Sequence, residues 1–331
     1  VKPALLEFLA CPRCAGVLIS KSERSEGGEV LEGTLGCVAC RASFPIRGGI
    51  PRILPDALST RERATSRAFG AQWKMLAALS GVFRAEFQSY LDPLPASELQ
   101  GLVVLDAGCG MGKFSFAAAE AGARAVVAVD LSDAVEVAYA NLRAFPNAHV
   151  VQGSIGQLPF RVGAFDFAFS IGVLHHTPDP EKSFQHLVPF VRPGGRLFVW
   201  LYALEGNECF VRWLDPLRAA VFSRLPSWLN RAAATLVALP LWAVIRLVYV
   251  PLGEEGIVRR LPYAEYFLYF SRLGLRPFWG TVYDKLVPPI SFYLTRDELH
   301  RWVTDAGLTE LFLRHRNGNS WSSLARREQG V

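Results

Sequence analysis

Two CxxC pairs stand near the start of the chain: Cys11-Pro12-Arg13-Cys14 and, 22 residues further on, Cys37-Val38-Ala39-Cys40. Each turn can aim two thiolates at one ion, and two such turns complete a tetrahedral four-cysteine site suited to zinc. With all four positions taken by protein, the ion would stabilise a small domain and not catalyse. A redox pair would need a single CxxC beside a thioredoxin-like pattern; an iron–sulfur site is the other alternative.

A second set of residues lies 60 positions on. The apolar run Val103–Leu105 ends in Asp106, and glycines follow at 108, 110 and 112 before an Ala-rich stretch. This reads as a buried parallel strand, a tight turn and a helix start whose N–H groups face a ligand. The glycines run G-x-G-x-G, which is neither the dinucleotide fingerprint nor a P-loop. Asp130 closes the next apolar strand, 18 residues after Gly112, where a carboxylate meets a ribose. His175 and His176 follow the fourth strand, Phe165–Ser170, at the sheet edge where ligands bind. Imidazole titrates near neutrality, so this pair is the chain's best acid/base candidate, with His176 favoured as the substrate-facing ring. No carboxylate or third ligand accompanies them, which argues against metal.

Together with the Pro193-Gly194-Gly195 turn and the strand after it, these segments match four motifs in order and spacing. Residues 100–202 thus resemble class I S-adenosylmethionine (AdoMet)-dependent methyltransferases of the type 11/25-like kind. The resemblance implies an α/β fold with a Rossmann-like seven-stranded sheet whose last strand is antiparallel. It places Asp106 beneath the turn and Gly108, Cys109, Gly110 and Gly112 around the methionyl end of AdoMet. It sets Asp130 on the ribose hydroxyls, Leu131 on adenine, and Ile171 nearby. Ser154, followed by Ile155, stands where the family often has an Asp for the adenine amine. Gln72 and Trp73 fall in a segment resembling the family's lid helix, and Tyr202 joins the two histidines as a candidate for activating the substrate. The N-terminal cysteines with Phe44–Pro55 resemble the small zinc-ribbon proteins that activate tRNA and protein methyltransferases, here joined to a catalytic domain.

These residues require a scaffold of several parts. We read residues 1–55 as a zinc ribbon, 56–100 as a helical lid and linker, and 101–202 as the AdoMet-binding core. Residues 203–282 form an inserted helical cap, and 283–331 complete the core. A helix is expected from Arg61 to Leu79, with Leu76 and Leu79 on its apolar face. Thr295 and Glu298 form a capping box, and Asn317-Gly318 joins the last two strands. The insertion is apolar, with Phe210, Val211, Trp213, Leu214 and Leu217, then a stretch over 232–252 that approaches the ~20 residues of a membrane span. Pro240 and Arg246 interrupt it, so buried cap helices are expected before a span, and helices lying in a membrane interface are a third option.

The chain has 331 residues, is 51% hydrophobic and carries a formal net charge of +5. No long Lys/Arg run demands nucleic acid or an anionic surface. The paired cysteines and the acidic, leaderless start suggest a reducing, cytoplasmic setting, with peripheral membrane contact through the cap.

The expected function is methyl transfer to an O, N or C nucleophile of a small or medium apolar metabolite, polyketide-, quinone- or isoprenoid-like, in secondary metabolite biosynthesis. The alternative is a tRNA or rRNA base methyltransferase whose ribbon, with Arg13, Arg41, Arg47 and Arg52, forms a phosphate-contacting arm. A third reading is a non-catalytic AdoMet-binding scaffold.

Overall fold

The computed structural model describes residues 1–75, 82–253 and 255–329. The N-terminal unit is an antiparallel meander, β1 (Leu18–Glu26), β2 (Glu29–Cys37) and β3 (Ser43–Arg47), closed by the short β4 (Ile50–Ile53). Helices α1 (Thr60–Met75) and α2 (Val82–Leu91) follow. Of the apolar face expected to run to Leu79, positions Leu76 and Leu79 lie outside the described residues.

The core alternates β5 (Val103–Ala107), α3 (Lys113–Glu120), β6 (Ala125–Asp130), α4 (Val135–Leu142), β7 (Ala148–Gly153), β8 (Phe165–Ile171), α5 (Pro180–Leu187) and β9 (Val191–Tyr202). Strands β5, β6 and β7 are apolar without alternation and buried almost throughout, as strands covered on both faces must be. The cap comprises α6 (Asp215–Ala220), α7 (Ser227–Val244), α8 (Ala264–Leu273) and α9 (Leu275–Leu286). The chain closes with α10 (Arg296–Asp305), β10 (Leu308–Arg316) and β11 (Ser320–Arg327). The Thr295–Glu298 capping box is formed in both directions, and Asn317 and Gly318 both take positive φ at the final turn.

The sheet order is β1-β2-β3-β4-β7-β6-β5-β8-β9-β11-β10. The expected seven-stranded core is present, β5 to β11, with β11 antiparallel to β9. It is not the whole sheet, because β4 pairs in parallel with β7 (Arg52 with Gln152, Ile53 with Gly153) and the ribbon extends it to eleven strands. The junction is bonded along its length. Ala10 N–H donates to Pro159 O at 2.9 Å and Arg161 N–H to Phe8 O at 2.8 Å. Lys2 Nζ donates to Ala148 O at 3.0 Å, and Arg52 to Gln152 Oε1 at 3.0 Å. Leu5, Leu9, Leu35 and Ile46 of the ribbon share one apolar core with Leu105, Val127 and Phe165.

The cap packs differently. Ala234, Ala238 and Ile245 face Phe270, Phe278 and Tyr283 in a core of its own. The expectation of buried cap helices is only partly met. The apolar stretch Ser227–Tyr249 has mean hydropathy 1.8 and is 22% buried, with Leu236 and Leu247 about three-quarters exposed. The reason is local: α7 turns its small residues inward, which lets α9 approach, and its large residues outward. By length and composition this helix could cross a membrane, but a single such helix does not establish a span.

Candidate active site and metal centre

The four ribbon sulfurs converge. Their Sγ atoms all lie within 4.8 Å of one another, with Cys11 to Cys40 at 3.6 Å and Cys14 to Cys37 at 3.5 Å. Tetrahedral zinc with Zn–S bonds of about 2.3 Å needs sulfurs at such separations, so the donor set fits. Ala15 and Arg41, each following the second cysteine of its pair, have φ +57° and +60°, so the two turns are built alike. A Cβ at Gly16 would stand 3.1 and 3.2 Å from two of the sulfurs, which explains the glycine.

The glycine turn is equally specific. Gly108 and Gly110 have φ +88° and +53°, and a Cβ on Gly108 would come within 2.4 Å of Val173. The N–H groups of Gly108 and Cys109 both donate to Val129 O, which anchors the turn to β6. Asp130 is held on both oxygens: Oδ2 accepts from Gly110 N at 2.8 Å, and Oδ1 from Ser132 N and Oγ at 2.8 and 2.7 Å. Its carboxylate is therefore fixed in place by three donors. Asp106 sits beneath the turn, buried, accepting from Ser115 Oγ at 2.5 Å, and burial pushes its carboxyl up to about 7.

Above the turn lies a cavity of about 530 Å³. Gly108, Cys109, Gly110, Asp130, Leu131, Ser154, Ile155 and Ile171 line one end, and Gln72 and Trp73 of α1 reach it from the lid. Asp106 and Gly112 do not line it; they support the turn from behind. Ser154 Oγ accepts from Gly156 N at 3.2 Å, which leaves its hydroxyl proton and one lone pair. Lys113, first residue of α3, pairs with Glu86 of α2 at 2.8 Å and lies 5.7 Å from the Trp73 ring centroid, tying both lid helices to the turn.

At the other end, the two histidines part company. His176 lines the cavity; its Nδ1 lies 2.7 Å from Ile290 O, a pure acceptor, so Nδ1 carries the proton and Nε2 is left free. Burial lowers this ring to about 4, so it is neutral at pH 7. His175 is not on the cavity: it is fully buried, 4.0 Å from the Tyr202 ring, with both nitrogens unpartnered. The expectation that it activates a substrate finds no geometric support. Tyr202 does line the cavity, but burial holds its hydroxyl far above the usual range.

Residues from the second half of the chain complete the wall: Tyr266, Arg276, Asp284 and Lys285 from the cap, and Arg316 and Asn319 from the last hairpin. Asp284 reaches the cavity, whereas its neighbour Tyr283 stacks on Trp279 inside the cap and Tyr293 stacks behind Tyr202. Lys285 was missed because the insertion was expected to end at 282, whereas α9 continues to Leu286 and carries Asp284 and Lys285 with it. Neither Phe210 to Leu217 nor the apolar stretch Ser227–Tyr249 lines the cavity. The cap lines the cavity with Tyr269, Phe270 and Leu273 as well as with Arg276, Asp284 and Lys285, so its wall is mixed. Among the arginines expected to contact phosphate, Arg13 pairs with Asp56 and Arg52 with Gln152 and Glu136, while Arg41 and Arg47 are exposed.

Residues 105–199 match the family described as "Methyltransferase domain", and residues 2–49 match the family "Trm112p-like protein". Among curated proteins, the chain is 37% identical over 118 residues to the tRNA U34 carboxymethyltransferase of Alcanivorax borkumensis, covering 35% of this chain and 37% of that protein. It is 35% identical over 113 residues to the enzyme of the same name from Pseudoalteromonas translucida, covering 33% and 35%. The chain thus matches just over a third of the length of these relatives. Among solved structures, it is similar to a chain from the complex of the Haloferax volcanii Trm112 methyltransferase activator with a methyltransferase (13% identity, TM-score 0.49, covering 82% of this chain and 99% of that one). It is also similar to magnesium protoporphyrin IX methyltransferase from Synechocystis PCC 6803 (17% identity, TM-score 0.47, covering 81% and 98%).

The curated relatives overturn the expectation of a small apolar metabolite as substrate and partner, and with it a place in secondary metabolism, because they are named for a tRNA nucleotide. The chain carries a methyltransferase domain joined, in one polypeptide, to a Trm112p-like zinc-ribbon unit.

Proposed function

We propose that this protein transfers a methyl group from AdoMet to a base of a transfer or ribosomal RNA. The observation that carries the RNA half is the likeness to curated tRNA U34 carboxymethyltransferases. The cofactor half rests on the glycine turn, the firmly held Asp130 and the cavity above them. Asp130 would hold the ribose hydroxyls, Leu131 and Ile155 the adenine faces, Ser154 the adenine amine, and Gln72 and Trp73 would close over the ligand. AdoMet supplies an electrophilic methyl on sulfonium; the protein supplies alignment and exclusion of water. His176 Nε2 and Tyr202 stand at the acceptor end and would orient the incoming base. The ribbon acts as part of the scaffold, since it shares the sheet and the core, and offers Arg41 and Arg47 to phosphate.

The test is transfer of tritiated methyl to bulk tRNA and rRNA, with mass spectrometry of the digested nucleosides to identify both acceptor and transferred group. Label in RNA that falls steeply as salt is added supports the reading. S-adenosylhomocysteine binding without any RNA label rejects it and returns the molecule to a cofactor-binding scaffold.

A further inference from the structure

The acceptor end of the cavity holds two charged groups that cofactor binding does not use. Asp284 and Lys285 are consecutive on α9, and both line the cavity. Gln72 donates to the Asp284 carboxylate, while Oδ1 is buried with no partner. A buried carboxylate oxygen left open costs free energy unless something fills it. The Lys285 ammonium lies over the rings of Tyr202, Phe210 and Tyr293, at 4.5, 5.1 and 5.8 Å. It is held in place by aromatic faces and leaves its N–H donors for a ligand.

Resting on the RNA reading above, we propose that Asp284 and Lys285 engage the acceptor base, Asp284 taking the proton of the attacking N–H and Lys285 donating to the adjacent carbonyl oxygen. An acceptor beside a donor matches a lactam edge, N–H next to C=O, as in uracil and guanine. It mismatches the amino-bearing edges of cytosine and adenine. In the step, the N–H bond breaks, its proton passes to Asp284 and its electron pair stays on nitrogen, which takes the methyl group. The electron pair of the broken C–S bond stays on sulfur, leaving a neutral thioether. Asp284 then returns its proton to water.

The other candidates fit this role less well. His176 has spent Nδ1 on Ile290, and a ring lowered to about 4 is a weak base. Tyr202 cannot ionise near neutrality. Asp284 is pushed up to about 6 by burial, against the pull of Gln72, Lys113 and Lys285, and Lys285 is brought down to about 8 by burial. At pH 7 the first is a charged base and the second a charged donor. The groups facing Asp284 are Gln72 from α1, Lys113 from α3, Tyr283 and Lys285 beside it, and the hydroxyls of Tyr202 and Tyr266; those facing Lys285 are Asp284, Asp215 of α6, and the rings of His175 and His176.

The experiment is the pH profile of kcat/KM for methyl transfer to RNA, with S-adenosylhomocysteine affinity measured by calorimetry on the same proteins. Wild type should give a bell with limbs near 6 and 8. Asp284→Asn should lose about a hundredfold or more and its acidic limb, while Asp284→Glu recovers part of the rate. Lys285→Met should lose the alkaline limb. All variants should keep S-adenosylhomocysteine affinity within a few-fold, which also reports folding. Label should appear in uridine- or guanosine-derived nucleosides. Label in cytidine or adenosine, or an acidic limb that survives Asp284→Asn, overturns the assignment alone. A wild type that binds S-adenosylhomocysteine and labels no RNA overturns the RNA reading and this assignment with it.

Discussion

The ribbon and the cap are both additions to the same seven-stranded core, attached by opposite physics. The ribbon enters the core's own hydrogen-bond ladder through β4 and β7 and shares its apolar interior. The cap keeps an interior of its own, turns large apolar residues to solvent on α7, and meets the core mainly by walling the cavity with α8 and α9. A part continuous with the sheet is tied to the stability of the whole. A part folded on itself can vary its inner wall, and so the substrate, at little cost to the core.

Removing the zinc tests this contrast most severely. Chelation, or Cys37→Ser, removes a contribution on the order of 10 kcal/mol to the ribbon. Because the ribbon shares the sheet, calorimetry should show one transition moved sharply down. Two separate transitions, with the core unmoved, would break the comparison.

Asp130→Ala probes the core between the additions. It removes charge-assisted hydrogen bonds of about 1.5–3 kcal/mol each, so S-adenosylhomocysteine affinity should fall about a hundredfold. Lost affinity without a lost thermal transition would keep cofactor binding and ribbon stability distinct.

A smaller effect is expected at the junction itself. Arg52→Ala removes the bond to Gln152 and the pair with Glu136, and denaturant melts should register a loss of about 1–2 kcal/mol. The smallest effect is on the cap's outer face. Leu247, 76% exposed, should tolerate Leu247→Ser within about 0.5 kcal/mol. A large loss there would mean that the outer face of the stretch Ser227–Tyr249 is covered in solution.

The same division explains what could be read from the chain. The ribbon cysteines, the glycine turn and Asp130 were legible because each set is local: CxxC spacing and a strand–turn–helix pattern determine where those atoms point. Most of the expected cofactor residues line one cavity for that reason. The pairing of β4 with β7 was not legible, because it joins segments about 100 residues apart without a pattern in either. His175 and His176 look alike in sequence; they are told apart by the cavity, which His176 alone of the two lines, and by Ile290 O and Ser291 Oγ, 114 and 115 residues away, which hold its Nδ1. The cap misled for a physical reason: many of its apolar residues pack on one another or face solvent, and its hydropathy does not say that Asp284 and Lys285 are among the charged residues that reach the cavity.

The parallel pairing of β4 with β7 also decides which strands are left unpaired at the rims of the sheet. β7 reads AHVVQG and is buried throughout; bared, its open N–H and C=O groups would template pairing with other chains. The actual rims are β1, with Lys21, Glu23 and Arg24 exposed and a bulge at Ser22–Arg24, and β10, bulged between Glu310 and Phe312. Both are charged and kinked, and poor templates for that reason. The ribbon thus covers an edge that would otherwise be open, and residues 56–331 produced without it should self-associate more than the full chain, as read by light scattering.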